Sequence, residues 1–157
     1  MSGWNTVRKR HMRTLMNAWP PFLGAGIRVT RLQADWREID VEMKLHRWNA
    51  NYVGTHYGGS LYSMADPFFM LMLMENLGPD YVVWDKSASI RFKKPGRGKV
   101  SARFQISGEQ IDSIRNALLT ERKVEPTFLV EVKDEAGNVI VEVQKELHIR
   151  LKRPSVQ

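Results

Sequence analysis

Residues 57–77 constrain this chain more than any other segment. Phe68-Phe69-Met70-Leu71-Met72-Leu73-Met74 is apolar all round, and a helix of that kind has to be buried on most sides. Leu61, Met64, Phe68, Leu71, Met72 and Glu75 follow helical spacing from Tyr57 to Leu77. Gly78-Pro79-Asp80 stops the run. Almost everything else reads as strand. Ile27–Leu32 is one. In Glu38–His46, Ile39, Val41, Met43 and Leu45 alternate with Asp40, Glu42 and Lys44, the period of a strand with one wet face. After the helix, Tyr81–Phe92 reads as a long strand. Val100, Ala102, Phe104 and Ile106 alternate with Ser101, Arg103 and Gln105. Glu109–Arg122 is a short helix or an irregular crossover. Val124–Asp134 and Val139–Leu151 flank an Ala-Gly-Asn hairpin turn, with Val141, Val143, Leu147 and Ile149 inward. One long helix thus serves a sheet of about six strands, near the usual sheet size. The economical α+β packing curls an antiparallel sheet around that helix. Its open edges favour pairing with a second copy.

At 157 residues the chain is expected to form one domain, with a core over 25–151. Ahead of the core, Trp4, Met12, Leu15, Met16 and Trp19 suggest an amphipathic helix within residues 1–20, ended by Pro20-Pro21. Basic Arg8, Lys9, Arg10 and Arg13 before Leu15–Gly26 imitate a secretory signal, but Asn17, Pro20 and Pro21 interrupt the apolar part. Pro67–Leu77 is too short to cross a bilayer. There is no cysteine. That excludes a disulfide framework, a thiol nucleophile and cysteine-ligated zinc, and it agrees with a cytoplasmic location. Net charge is +7, so a phosphate-rich partner is one reading and a basic solvated surface the other. Nucleic acid and coenzyme A both qualify as partners. No zinc finger, KH loop or aromatic RNP signature is present, which argues against nucleic acid.

The chemistry-bearing residues cluster at the start of the predicted helix. Asp66 is a lone acid in an apolar stretch, a candidate general base or nucleophile. Followed by Pro67, it equally fits an ordinary helix cap. If the helix instead begins near Gly58, Pro67 sits inside it and bends it. The Gly58-Gly59 pair exposes backbone N–H groups able to polarise a carbonyl. Eight residues of helix separate Gly58 from Asp66, about 12 Å at the α-helical rise. No acyl carbon touches both within one subunit, so joint action requires a neighbour's residue at a two-fold interface. The Asn51 amide either orients water or a thioester, or bonds its own turn. His56 is an acid–base candidate by type, or a loop histidine. His11, His46, His56 and His148 lack metal-ligand spacing, so no metal site is expected. Gly-Gly-Ser-Leu-Tyr is not a serine-nucleophile elbow. The methionines, Met70 among them, are core filler or a compliant lining for an acyl chain. Lys93, Lys94 and Arg97 form a solvated turn or meet phosphates at the mouth of a pocket.

Asn51, Gly54-Thr55, Tyr57-Gly58-Gly59 and Met64-Ala65-Asp66, with the strand order that follows, resemble the hotdog-fold thioesterases. The likeness is to the phenylacetyl-CoA thioesterase branch and its uncharacterised relatives, over roughly residues 25–150. That pattern is an Asn, a Gly-containing loop, His-Gly-Gly, then Leu-Ala-Asp on a helix. The resemblance implies a hotdog fold and hydrolysis of an acyl-CoA or acyl-carrier thioester by a homodimer or a dimer of dimers. No cofactor is implied beyond the coenzyme A of the substrate. Asp66 would be nucleophile or base, the Gly58 N–H the carbonyl donor, and Asn51 the group that positions water or thioester. Tyr57, Gly59, His56, Thr55, Met70, Lys93, Lys94 and Arg97 are the expected substrate-binding residues, with the three cations placed to meet phosphates. Tyr57 stands where many relatives have His. A non-catalytic thioester-binding module is the rival reading. Hydratase motifs are not found.

Overall fold

The structure is a computed structural model and describes residues 11–152. Trp4, Arg8, Lys9 and Arg10 lie outside the described residues. Residues 11–17 are helical. Pro20-Pro21 then does two things. It ends that helix and opens the next, α1 (Pro20–Ala25), with Pro in the first turn, where no N–H is needed. Gly26 closes α1 at φ 76°, a conformation glycine adopts without strain.

The sheet follows: β1 (Ile27–Leu32), β2 (Glu38–Lys44), β3 (Tyr81–Phe92), β4 (Lys99–Gln105), β5 (Thr127–Asp134) and β6 (Val139–Leu151). Spatial order is β1-β2-β4-β5-β6-β3, antiparallel throughout. Strand β2 stops two residues before the predicted His46. Strand β5 starts at Thr127 rather than Val124, which makes only an isolated bridge to Ile149. The 109–122 segment resolves into α4 (Gly108–Ala117), opened by a reciprocal Ser107–Gln110 capping box.

The central helix runs from Gly58 to Leu77 but in two pieces, α2 (Gly58–Ser63) and α3 (Phe68–Leu77). Pro67 causes the break, since it has no N–H to continue the ladder. The Ser63 carbonyl accepts instead from the Asp66 N–H at 3.4 Å. Phe68 and Phe69 carry α3 into the core. A chain of rings runs Phe22, Phe68, Phe104, Phe69, Phe128, with centroids 4.8–5.8 Å apart. It ties α1 to α3 and α3 to β4 and β5.

Trp36 closes the core between β1 and β2. It is buried and sits at φ 57°, a left-handed backbone rarely taken by a bulky residue. Its carbonyl accepts from Asn76 Nδ2 at 3.2 Å, which pins the loop to the end of α3. Burial of the indole holds this strained turn in place. Trp36→Ala is expected to cost about 3–5 kcal/mol in urea unfolding.

Strand β3 forms one edge of the sheet and carries a bulge. Asp85 faces Leu147 while Ser87 faces Glu146, so Lys86 is the extra residue. The bulge shifts which side chains point inward. Paired residues share a face, so the inward row runs Val83, Asp85, then Ala88, Ile90 and Phe92, opposite Ile149, Leu147, Lys145, Val143 and Val141. Without it Arg91, not Phe92, would face the start of α2.

Candidate functional site

A cavity of about 540 Å³ opens at the start of α2. Asn51, Thr55, His56 and Gly58 line it from one side, Phe92, Lys93, Lys94 and Arg97 from the other. The loop holding them is built by Asn51. Its Oδ1 accepts from the N–H groups of Val53 and Thr55 at 3.1 and 2.9 Å, and its Nδ2 donates to Thr55 Oγ1 at 2.8 Å. Both ends of the amide are thus engaged inside the loop, which is the turn-forming use of an Asn.

His56 joins that loop to the basic turn. Its N–H donates to the Gly96 carbonyl, and Nε2 donates to the Gly98 carbonyl, each at 3.0 Å. Nε2 therefore carries the proton and Nδ1 is left as a buried acceptor without a partner among the described residues. Burial pushes the imidazole below the ordinary histidine range, against the Gly98 bond and assisted by the charge of His46. A base whose folded value is depressed stabilises the fold above its unfolded value, about 6.5, and loses that contribution as pH falls through the folded value. Melting temperature should therefore drop on acidification below about pH 6.5, and less steeply in His56→Gln.

The two glycines answer to two rings. A Cβ on Gly59 would lie 2.5 Å from Tyr57 Cε1, and one on Gly58 would lie 3.1 Å from Phe92 Cζ. Tyr57 itself is exposed, in extended backbone at the N-cap of α2. The N–H of Gly58, in the first turn, has no intrahelical acceptor by position. Lys93 and Lys94 are exposed on the rim with Arg97. Lys93 lies 3.7 Å from Glu142, and Lys94 donates to Asn138 at 3.2 Å. Met70 is half-buried against the core and is not among the cavity's walls.

Asp66 does not line this cavity. It sits in the break between α2 and α3, where Pro67 takes the N-cap position of α3 and no side chain caps that helix. Its carboxylate has another partner. Lys145 Nζ donates to Asp66 Oδ1 at 2.7 Å and lies 3.2 Å from Asp85 Oδ2 and 3.4 Å from the Tyr62 hydroxyl. The Lys145 side chain has 0% exposure, that of Asp66 48%. Burial opposes the Lys145 charge, yet the bonds and charges of Asp66 and Asp85 outweigh it and hold the ammonium above the ordinary lysine value. Burial pushes the Asp85 carboxyl up against the pull of Lys145, and raises the Tyr62 phenol too. Lys145, Asp85 and Tyr62 are absent from the sequence-based set. The signal was the inward row of β6, where position 145 falls between Val143 and Leu147. Among the described residues no group of three or more His, Asp or Glu is placed to hold a metal ion, and no helix is long and apolar enough to cross a membrane.

Known structures share this architecture. A Pseudomonas aeruginosa protein of unknown function, described as a probable thioesterase, superposes with TM-score 0.78 at 21% identity, over 94% of this chain and 96% of that one. A Haemophilus influenzae thioesterase gives TM-score 0.67 at 15% identity, covering 94% of each chain. The phenylacetic acid degradation protein PaaI of Thermus thermophilus gives 0.58 at 26% identity, over 85% of this chain and 100% of that one. The fold is therefore the hotdog fold of the thioesterase superfamily. No curated protein matches the sequence. A family model described as a domain of unknown function, DUF4442, matches residues 8–149, and the chain belongs to that family.

Proposed function

We propose that the protein hydrolyses an acyl-CoA thioester at a site completed by a second copy of the chain. The observation that carries this reading is the cavity at the start of α2. It sets a helix-tip amide against one wall and a rim of three cations, Lys93, Lys94 and Arg97, at the mouth. An acyl thioester attached to a phosphate-bearing carrier matches both ends. In the proposed reaction water attacks the thioester carbon, and Asp66 of the facing copy takes its proton. The carbonyl electron pair moves to oxygen, where the Gly58 N–H meets it. Collapse expels the thiolate, which takes the proton from Asp66, and the products are a carboxylic acid and a thiol.

The need for a second copy rests on two features. Asp66 and Gly58 face different surroundings in one chain. Among the described residues strand β3 is an edge strand of 12 residues whose inward Ala88 and Phe92 are exposed, a surface that a partner's sheet would cover. Multi-angle light scattering should therefore give a dimer or a multiple of one.

A second reading has its own support. Tyr57 is turned to solvent and Asp66 is tied to Lys145, which suits a module that holds a thioester without cleaving it. Thiol release measured across short, long and aromatic acyl-CoA esters, with calorimetric binding alongside, separates the two. Release supports hydrolysis. Binding without release supports the module. Neither overturns both.

A further inference from the structure

We propose that Lys145 is the positioning residue for Asp66: it fixes Oδ1 from inside the sheet, so that Oδ2 alone is presented for chemistry, and Asp85 keeps the buried ammonium paired while Asp66 carries a proton. The inference rests on the thioesterase reading and adds residues that reading does not contain.

The placement of Lys145 is costly and specific. Strand β6 is an inner strand of the sheet, between β5 and β3. Lys145 stands on its inward row, opposite Phe128 on one side and Ala88 on the other. Moving an ammonium to such a place costs several kcal/mol unless it is paired, and an apolar residue of similar volume would serve packing at least as well. Stability alone therefore gives no reason for a lysine here. Its contacts do: among the described residues Nζ meets Asp66, Asp85 and the Tyr62 hydroxyl.

Two acids meet one ammonium, and they are not equivalent. Asp66 lies on the helix break, with nearly half its side chain exposed. Asp85 comes from β3, next to the bulge at Lys86, and its Oδ1 is buried without a hydrogen-bond partner among the described residues. A carboxylate base is neutral once it has accepted a proton. At that moment the Lys145–Asp66 ion pair becomes an ion–neutral contact, and a lone buried ammonium would oppose it. Asp85 supplies the remaining negative charge. Tyr62, 5.4 Å from Nζ by its ring centroid, packs beside the ammonium and accepts from it through the hydroxyl.

The test compares wild type with Lys145→Met and Asp85→Asn, using the acyl-CoA ester that wild type cleaves fastest and recording melting temperature and oligomeric state for each. Lys145→Met should lower kcat about a hundredfold, the cost of a base mispositioned by an ångström. KM should stay within about twofold, because no substrate contact is lost. Asp85→Asn should lower kcat less, again at constant KM. If Lys145→Met does not fold, Lys145→Met/Asp85→Asn removes both charges together and is read in its place. A folded variant lacking Lys145 that keeps kcat within about threefold of wild type overturns this inference and leaves the thioesterase reading standing. Wild type that releases no thiol from any ester overturns the thioesterase reading, and this inference with it.

Discussion

Asp66→Asn should lower kcat for thiol release by about 10²–10⁴-fold, the range for removing a general base, with KM little changed. Asparagine keeps the shape and can still accept from Lys145 through its amide oxygen. The 2.7 Å contact seen at Oδ1 is thus retained in neutral form, while the atom that takes the proton becomes an NH₂. Asp85 continues to balance Lys145, so the variant should melt near the wild-type temperature. That combination of intact fold, intact binding and lost turnover sets a chemical role apart from a capping one. The structure already removes the capping alternative, since Asp66 leaves the first turn of α3 uncapped. Turnover within a few-fold of wild type would sink the assignment of Asp66.

How far the sequence foretold this depends on what each signal encodes. The hotdog architecture was legible because its two determinants are local. Period-two alternation marks strands such as β2 and β4, and Phe68–Met74 has no polar face to leave in water. Pro67 announced the bend, because a missing N–H acts wherever it falls. Element ends were less legible: β2 and β5 differ from expectation by two or three residues, since pairing partners rather than propensity end a strand. The loop side of the site was readable from the Asn51-to-Gly59 motif, and the structure gathers Asn51, Thr55, His56 and Gly58 around one cavity. Lys145 and Asp85 were not. Each is one charged residue in a strand, and such residues usually face solvent. The apolar row Val141, Val143, Leu147, Ile149 brackets position 145, so alternation puts the lysine on the inward face, but only the three-dimensional structure brings Asp66 and Asp85 to it. In β3 the bulge at Lys86 also breaks the period, so simple alternation cannot assign faces on both sides of it. Charged residues read as surface become site residues once a second chain segment supplies their counter-charge.

Two inactive proteins should yield an active one when mixed. Gly58→Pro removes the N–H in question and adds a ring. Proline suits the first helical position, and Tyr57 before it already has the extended backbone a proline demands, at φ −65° and ψ 130°. The added ring meets the Phe92 side chain, whose exposed ring has room to turn away. Loss of an oxyanion donor should lower kcat roughly 10²–10³-fold. Asp66→Asn is crippled at the other end of the site. If each site takes Gly58 from one copy and Asp66 from the other, a mixed dimer has one site with both defects and one with neither. After subunit exchange in an equal mixture, roughly half of the dimers are mixed, so activity should recover to about a quarter of wild type. If both residues served a site within one chain, every site in the mixture would keep one defect and no recovery would occur. Recovery should also fade on dilution below the dimer dissociation constant, because mass action removes the shared site along with the interface.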